Sequence, residues 1–190
     1  MRNLFDVLYS QKDKSTGISF SKKEQQYFCN VAYSWPFKSL IKKRIIDLDP
    51  RSLHGLESHA FADKMYDFCR RLLLLQEART DNPIDMHYCY LSWIELLYRQ
   101  INDINNRNLC EKYCKKDIEL WKIIRTDDFF RGKKTYVPSF HRLEHIYEIT
   151  GRYSEAIDLL EYSINDSMQK YHESLIKKYE KLKGKENSTT

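Results

Sequence analysis

Phe140-His141-Arg142-Leu143-Glu144-His145-Ile146-Tyr147-Glu148-Ile149-Thr150-Gly151-Arg152-Tyr153-Ser154-Glu155-Ala156-Ile157-Asp158-Leu159-Leu160 places two apolar stripes at helical spacing on either side of one glycine. This pattern predicts a helix, a tight turn and a second helix folded back on the first. Leu143, Ile146 and Tyr147 are expected to face the partner helix, and Ile157, Leu160 and Ile164 to continue the buried face. Gly151 suits the left-handed turn position because it has no Cβ to clash. Ala156 is small where the two backbones must cross closely.

Upstream, the same reading yields further helices. Ser21 with Glu24 makes a capping box with Phe20 at the staple position, and a helix runs on to Ser34. Pro36 marks a break, and Phe37 to Ile46 reads as a short basic amphipathic helix closed by Asp49-Pro50. One long helix is expected over Leu56 to Ala78. Asn82-Pro83 opens the next helix, Asn102 to Asn108 breaks it, and Leu109 to Ile124 forms another. Thr126 to Val137 is a connector, and Pro138 opens the final pair. The second helix of that pair is expected to extend through Ile164, Met168, Tyr171, Leu175 and Tyr179. Leu4 to Leu8 adds a short N-terminal helix, and 184–190 is a polar, disordered tail.

The bulk numbers agree. With 42% hydrophobic and 31% charged residues the chain is globular, and five glycines with four prolines are too few for the turns of a sheet protein. The expectation is therefore an all-α fold of antiparallel helical hairpins, stacked in one domain over 1–183. The net charge of +5 is mild. The longest wholly apolar run, Leu72 to Leu75, is far too short to span a bilayer. Five cysteines and no apolar leader behind Met1 point to reduced thiols in a cytoplasmic protein.

The segment 137–170 resembles a tetratricopeptide repeat, a helix-turn-helix unit of about 34 residues. Phe140, Leu143, Tyr147, Gly151, Tyr153 and Ala156 fall on its aromatic, leucine, tyrosine, turn-glycine, second aromatic and small positions. Glu144, Ser163 and Met168 depart from the usual small, alanine and proline positions. Residues 91–124 are a fainter match, with Cys110 on the small position and Asn105 in place of the turn glycine. The resemblance implies a short tetratricopeptide-like array and a groove that holds a partner. On the best-matched unit the groove positions are His141, His145, Glu148 and Ile149.

No residue set spells out chemistry as clearly. Cys110 with Cys114 and His141 with His145 are each one helical turn apart, and two thiolates with two imidazoles suit zinc. They read first as seam-filling cysteines and outward-facing histidines. His54 and His59 stand near Glu57 and Asp63, a histidine–carboxylate pattern without an accompanying nucleophile. Gly132-Lys133-Lys134-Thr135 lacks the glycines of a phosphate loop. Basic pairs recur at Lys22-Lys23, Lys42-Lys43-Arg44, Arg70-Arg71, Lys115-Lys116, Lys133-Lys134 and Lys177-Lys178, interleaved with acids. The reading is a non-enzymatic interaction scaffold that binds a protein partner or its own copy, with no cofactor, metal or membrane. A nucleic-acid-associated regulator is the first alternative, and a helical hydrolase or metal-binding protein the second.

Overall fold

The computed structural model describes residues 12–34, 43–131, 135–165 and 172–187. These fold as helices α1 (Lys22–Ser34), α2 (Pro50–Ala62), α3 (Tyr66–Glu77), α4 (Pro83–Tyr98), α5 (Ile104–Ile124), α6 (Pro138–Ile149), α7 (Tyr153–Asn165) and α8 (His172–Asn187), with a single 3₁₀ turn at Ile45–Asp47. Among the described residues the only extended pairing is an isolated bridge between Lys12 and Ser19, so the fold is all-α. Neighbouring helices pack on one another: α2 on α3, α5 on α6, α6 on α7, and α7 on α8. The chain forms two compact units, Met1–Cys89 and Tyr90–Thr190, with the boundary inside α4. The expected helix over Leu4 to Leu8 and most of that over Phe37 to Ile46 lie outside the described residues; Ile45 and Ile46 begin the 3₁₀ turn.

In the first unit the capping box forms as the sequence suggests. The Ser21 amide donates to Glu24 Oε2 at 2.7 Å, and the Glu24 amide donates back to Ser21 Oγ at 3.3 Å. Phe20 has no apolar staple partner because Gln25 stands at that position; its ring meets Phe68 edge-on at 5.8 Å. Asp49-Pro50 opens a helix. Asp49 Oδ1 accepts from the Ser52 amide at 2.9 Å, and Pro50 fills the first helical position, where no N–H is needed. The Asn82 side chain caps α4 in the same way, accepting from the Ile84 amide at 2.8 Å.

The expected single helix over Leu56 to Ala78 is two helices. Lys64 stands between them at φ 60°, the left-handed region. The Met65 amide reaches back to the Ala60 carbonyl at 2.9 Å and the Lys64 amide to Phe61 at 3.0 Å, the paired bonds of a Schellman cap. The cap after α6 is built alike, with Arg152 to Tyr147 at 2.9 Å and Gly151 to Glu148 at 3.2 Å, and Gly151 at φ 74°. Glycine takes this conformation freely; lysine is strained in it. Lys64→Gly is therefore expected to stabilise the protein by about 0.5–1 kcal/mol, and Gly151→Ala to cost about 1 kcal/mol. An added Cβ at Gly151 meets nothing within 4 Å, so that cost is purely backbone. Urea titrations of both variants check the signs; a destabilised Lys64→Gly contradicts the turn geometry.

The hairpins α2–α3 and α6–α7 also align without a gap at a spacing of 87 (141 − 54), with identities at a minority of positions. Ser52-Leu53-His54-Gly55-Leu56-Glu57 corresponds to Ser139-Phe140-His141-Arg142-Leu143-Glu144. Tyr66 corresponds to Tyr153, Cys69 to Ala156 and Leu73 to Leu160, and Gln76 to Ser163. Burial agrees at four of these pairs, Leu56 and Leu143, Glu57 and Glu144, Cys69 and Ala156, and Gln76 and Ser163, and differs at others, with Phe68 buried but Glu155 exposed.

Cysteine supplies the small residue at other helix crossings. Cys69 Sγ lies 3.8 Å from the Glu57 carbonyl, Cys89 Sγ 3.9 Å from that of Leu73, and Cys110 Sγ 3.8 Å from that of Ile94. Each thiol lets the facing backbone approach and makes a weak hydrogen bond to it.

In the second unit α5 starts earlier than expected. Asp103 caps it, accepting from the Asn106 amide at 2.8 Å, so Asn105 lies inside the helix and the turn falls before Asp103. Trp121 is fully buried and meets Phe130 edge-on at 4.9 Å. Such a ring contributes roughly 2–3 kcal/mol by leaving water. The expected continuation of α7 through Tyr179 is overturned. Tyr179 Oη bonds to Glu161 and Lys183 Nζ lies 3.9 Å from it, whereas one straight helix would hold residues 18 apart about 27 Å away. Instead α8 packs on α7, and Met168 and Tyr171 of the expected continuation lie outside the described residues. α8 runs through Gly184 to Asn187; residues 188–190 lie outside the described residues.

Candidate partner-binding groove

Helices α5, α6 and α7 enclose a groove of about 370 Å³ in the second unit. Buried Ile118 and Leu143, with Leu159, supply its apolar floor, and Tyr147 and Tyr162 its aromatic walls. These side chains converge because α5 and α6 run antiparallel. Ser139 Oγ bonds to buried Asp117 at one end, and Arg152 bonds to Glu111 at the other, Nη1 to Oε1 at 3.1 Å.

Cations sit on the aromatic walls. The Arg152 guanidinium lies 4.4 Å from the Tyr147 ring centre, Lys115 Nζ 5.7 Å from the same ring, and Lys122 Nζ 5.3 Å from Tyr162. Each cation also holds a carboxylate: Lys115 to Glu111 at 2.7 Å and Lys122 to Glu119 at 2.6 Å. The Arg152 hydrogen bond keeps the Glu111 carboxyl below its ordinary range. Burial pushes the Tyr147 hydroxyl up, against the pull of Lys115, so it stays protonated at neutral pH. Glu155 and Asp158 complete the rim. The groove can therefore take an apolar anchor on its floor and charges of both signs at its edge.

The residues singled out from the sequence lie on another face of α6. His141 is half-buried beside Tyr136, with ring centres 5.2 Å apart, in a crevice of about 10 Å³, room for no more than a water. Burial, then Lys178 and Arg142, lower its pKa, so it is neutral at neutral pH. His145 rests against the Tyr98 ring at 5.9 Å, and Glu148 lies 4.0 Å from Lys178 Nζ. Ile149 is exposed. Lys178 of α8 thus reaches the face that carries His141 and Glu148. Leu143 and Tyr147, which the sequence assigns to the hairpin seam, also line the groove.

The other constellations separate. Cys110 and Cys114 are buried, and burial with the neighbouring Cys110 thiol pushes Cys114 well above its ordinary pKa, which disfavours thiolate. Among the described residues no group of three or more His, Cys, Asp or Glu side chains is placed to hold a metal ion. His54 Nδ1 lies 3.8 Å from Glu57 Oε2, while Asp63 accepts from the Tyr27 hydroxyl at 2.7 Å and His59 is exposed. Gly132, Lys133 and Lys134 are outside the described residues. Among the described residues no helix is long and apolar enough to cross a membrane.

No protein-family model matches the chain, and neither a curated protein nor a solved structure matches it.

Proposed function

We propose that the chain is a non-enzymatic interaction scaffold of tetratricopeptide-like type, whose second unit holds a segment of a partner protein in the α5–α6–α7 groove. The observation that carries this reading is the apolar floor of Ile118, Leu143 and Leu159 at the base of a groove flanked by tyrosine-seated cations. A short amphipathic segment suits it, with an aliphatic anchor for the floor and charges of both signs for the rim. A second copy of the chain could supply that segment as readily as another protein. The face of His141, His145, Glu148 and Ile149 is the alternative contact, with exposed Ile149 as its anchor. Arg71, Lys115 and Lys178 each end on a carboxylate, which ranks protein binding above phosphate tracking. Five free cysteines, four of them buried, favour a reducing, cytoplasmic setting.

A photoreactive side chain placed at Leu159 or at Ile149 tests the reading in cells. Crosslinking from Leu159, abolished by Leu143→Arg in a folded variant, is the expected result. An adduct of twice the chain mass identifies self-association. Crosslinks from Ile149 alone move the contact to the other face, and none from either position counts against a scaffold.

A further inference from the structure

Among the described residues the most exposed large apolar side chain is Ile123, at 70%. It stands on the last turn of α5, between Lys122 and buried Ile124. A lone exposed aliphatic residue is ordinary, but this one adjoins an apolar groove. Lys115, Ile118, Glu119 and Lys122 of the same helix line the α5–α6–α7 groove. Ile123 follows Glu119 by four residues, so it stands one turn along the helix from the groove's rim. Its own groove does not hold it. Five residues beyond Ile118, it projects about 140° around the helix from that floor residue.

A protruding isoleucine and an aliphatic floor on one helix, about 7.5 Å apart along its axis, make a self-complementary surface. Two α5 helices placed antiparallel across a two-fold axis set Ile123 of each copy over Ile118 of the other. One axis then completes both insertions, and the contact closes at two chains. In this register Lys122 of each copy falls opposite Glu119 of the other. Within the chain these two pair at 2.6 Å with side chains 40% and 70% exposed, so re-pairing across the axis costs little. Arg125 falls opposite Lys116, a like-charge meeting that keeps the association weak.

We propose that the groove takes Ile123 of a second copy, so that the chain forms a weak two-fold dimer through α5. The pairing rests on the groove as the contact site proposed above and gives it one occupant. The floor of Ile118, Leu143 and Leu159 receives the isoleucine, and Glu119 and Lys122 form a reciprocal pair of ion pairs at its edge.

Sedimentation equilibrium of the full chain over about 5–500 µM tests the pairing, with an expected Kd on the order of 10–100 µM, in the range of small transient contacts. Ile123→Glu, a change at the surface, is expected to weaken association at least tenfold while the thermal melt stays unchanged. Glu119→Lys is expected to weaken it about three- to tenfold, and Glu119→Lys with Lys122→Glu to restore it, because the reversed pair meets itself across the axis. An equimolar mixture of Ile123→Glu and Leu159→Arg is expected to pair although neither does so alone. One contact in that mixture is intact, and in the other the two introduced charges attract. A chain that stays monomeric throughout overturns the proposal, as does a dimer indifferent to Ile123→Glu. A monomer whose Leu159 still crosslinks to a different protein ends this pairing and leaves the scaffold reading standing; a monomer with no crosslink from Leu159 removes the groove as well.

Discussion

Replacing Lys178 by methionine is expected to cost the second unit about 2–3 kcal/mol at neutral pH, because it leaves the buried Glu144 carboxylate without its part-exposed cation. Glu144 is 1% exposed, and Lys178 Nζ bonds to its Oε2 while Oε1 has no partner. Burial already raises the Glu144 carboxyl above its ordinary 4.5, with the Lys178 hydrogen bond pulling the other way. In Lys178→Met that opposing pull is gone and the folded state favours the protonated acid more strongly. A raised carboxyl contributes its stability below the unfolded value and loses it as pH rises through the folded one. The defect should therefore shrink as pH is lowered from about 7 towards about 5, and Glu144→Gln in the same background should recover most of the loss. Urea unfolding followed by tryptophan fluorescence measures both effects. A loss that stays constant with pH and ignores the second substitution would mean that Lys178 acts through packing alone.

Asp13→Ala is expected to cost the first unit about 2–4 kcal/mol, since it strips several donors of a common acceptor. Asp13 is 8% exposed. One oxygen accepts from the Ser15 hydroxyl at 2.6 Å, the Thr16 amide at 2.8 Å, the Thr16 hydroxyl at 2.9 Å and the Ser15 amide at 3.0 Å. The other takes Arg79 Nη2 at 2.5 Å, and Arg79 Nη1 donates to the Leu48 carbonyl at 3.1 Å. This cluster ties the loop before α1 to the end of α3. The Ser15 hydroxyl first, and the Thr16 amide next, hold the Asp13 carboxyl far below its ordinary 3.8. The sign is opposite to that of Glu144. A depressed carboxyl contributes fully above the unfolded value and loses that contribution as pH falls through the folded one. The parent chain should lose stability below about pH 4, and Asp13→Ala should lose less over the same range. Circular dichroism melts from neutral pH to about pH 3 test this; parallel curves for the two proteins would sink it.

Much of the helix pattern was readable from local chemistry. Ser21 with Glu24, Asn82-Pro83 and Pro138 mark helix starts because capping oxygens and missing N–H groups act within a few residues. Gly151 marks a left-handed turn for the same reason, and the φ of 74° bears it out. The turn at Lys64 is not legible in the sequence because lysine carries no turn signal. Its left-handed backbone is imposed by packing α2 on α3, which outweighs a local strain of about 1–2 kcal/mol. With that turn hidden, Leu56 to Ala78 read as one helix and the match between the two hairpins stayed out of sight. Ser-x-His-x-Leu-Glu at Ser52–Glu57 and again at Ser139–Glu144 was the signal that could have revealed it. Asp49-Pro50 suits a helix start, but it also follows a segment with helical spacing, so the local pattern alone does not tell an end from a start.

By itself, the order of residues determined the all-α class, most helix starts and the Gly151 turn. Each of these depends on neighbours a few positions apart, where spacing alone decides which groups meet. Tertiary structure decided which cations answer which carboxylates, with Lys178 crossing to Glu144 and Arg79 to Asp13. It also decided that the open groove lies beside Leu143 and Tyr147, while His141 and Glu148 face α8. Those outcomes hang on where distant helices cross, and a buried charge or an open floor exists only once the chain has closed around it.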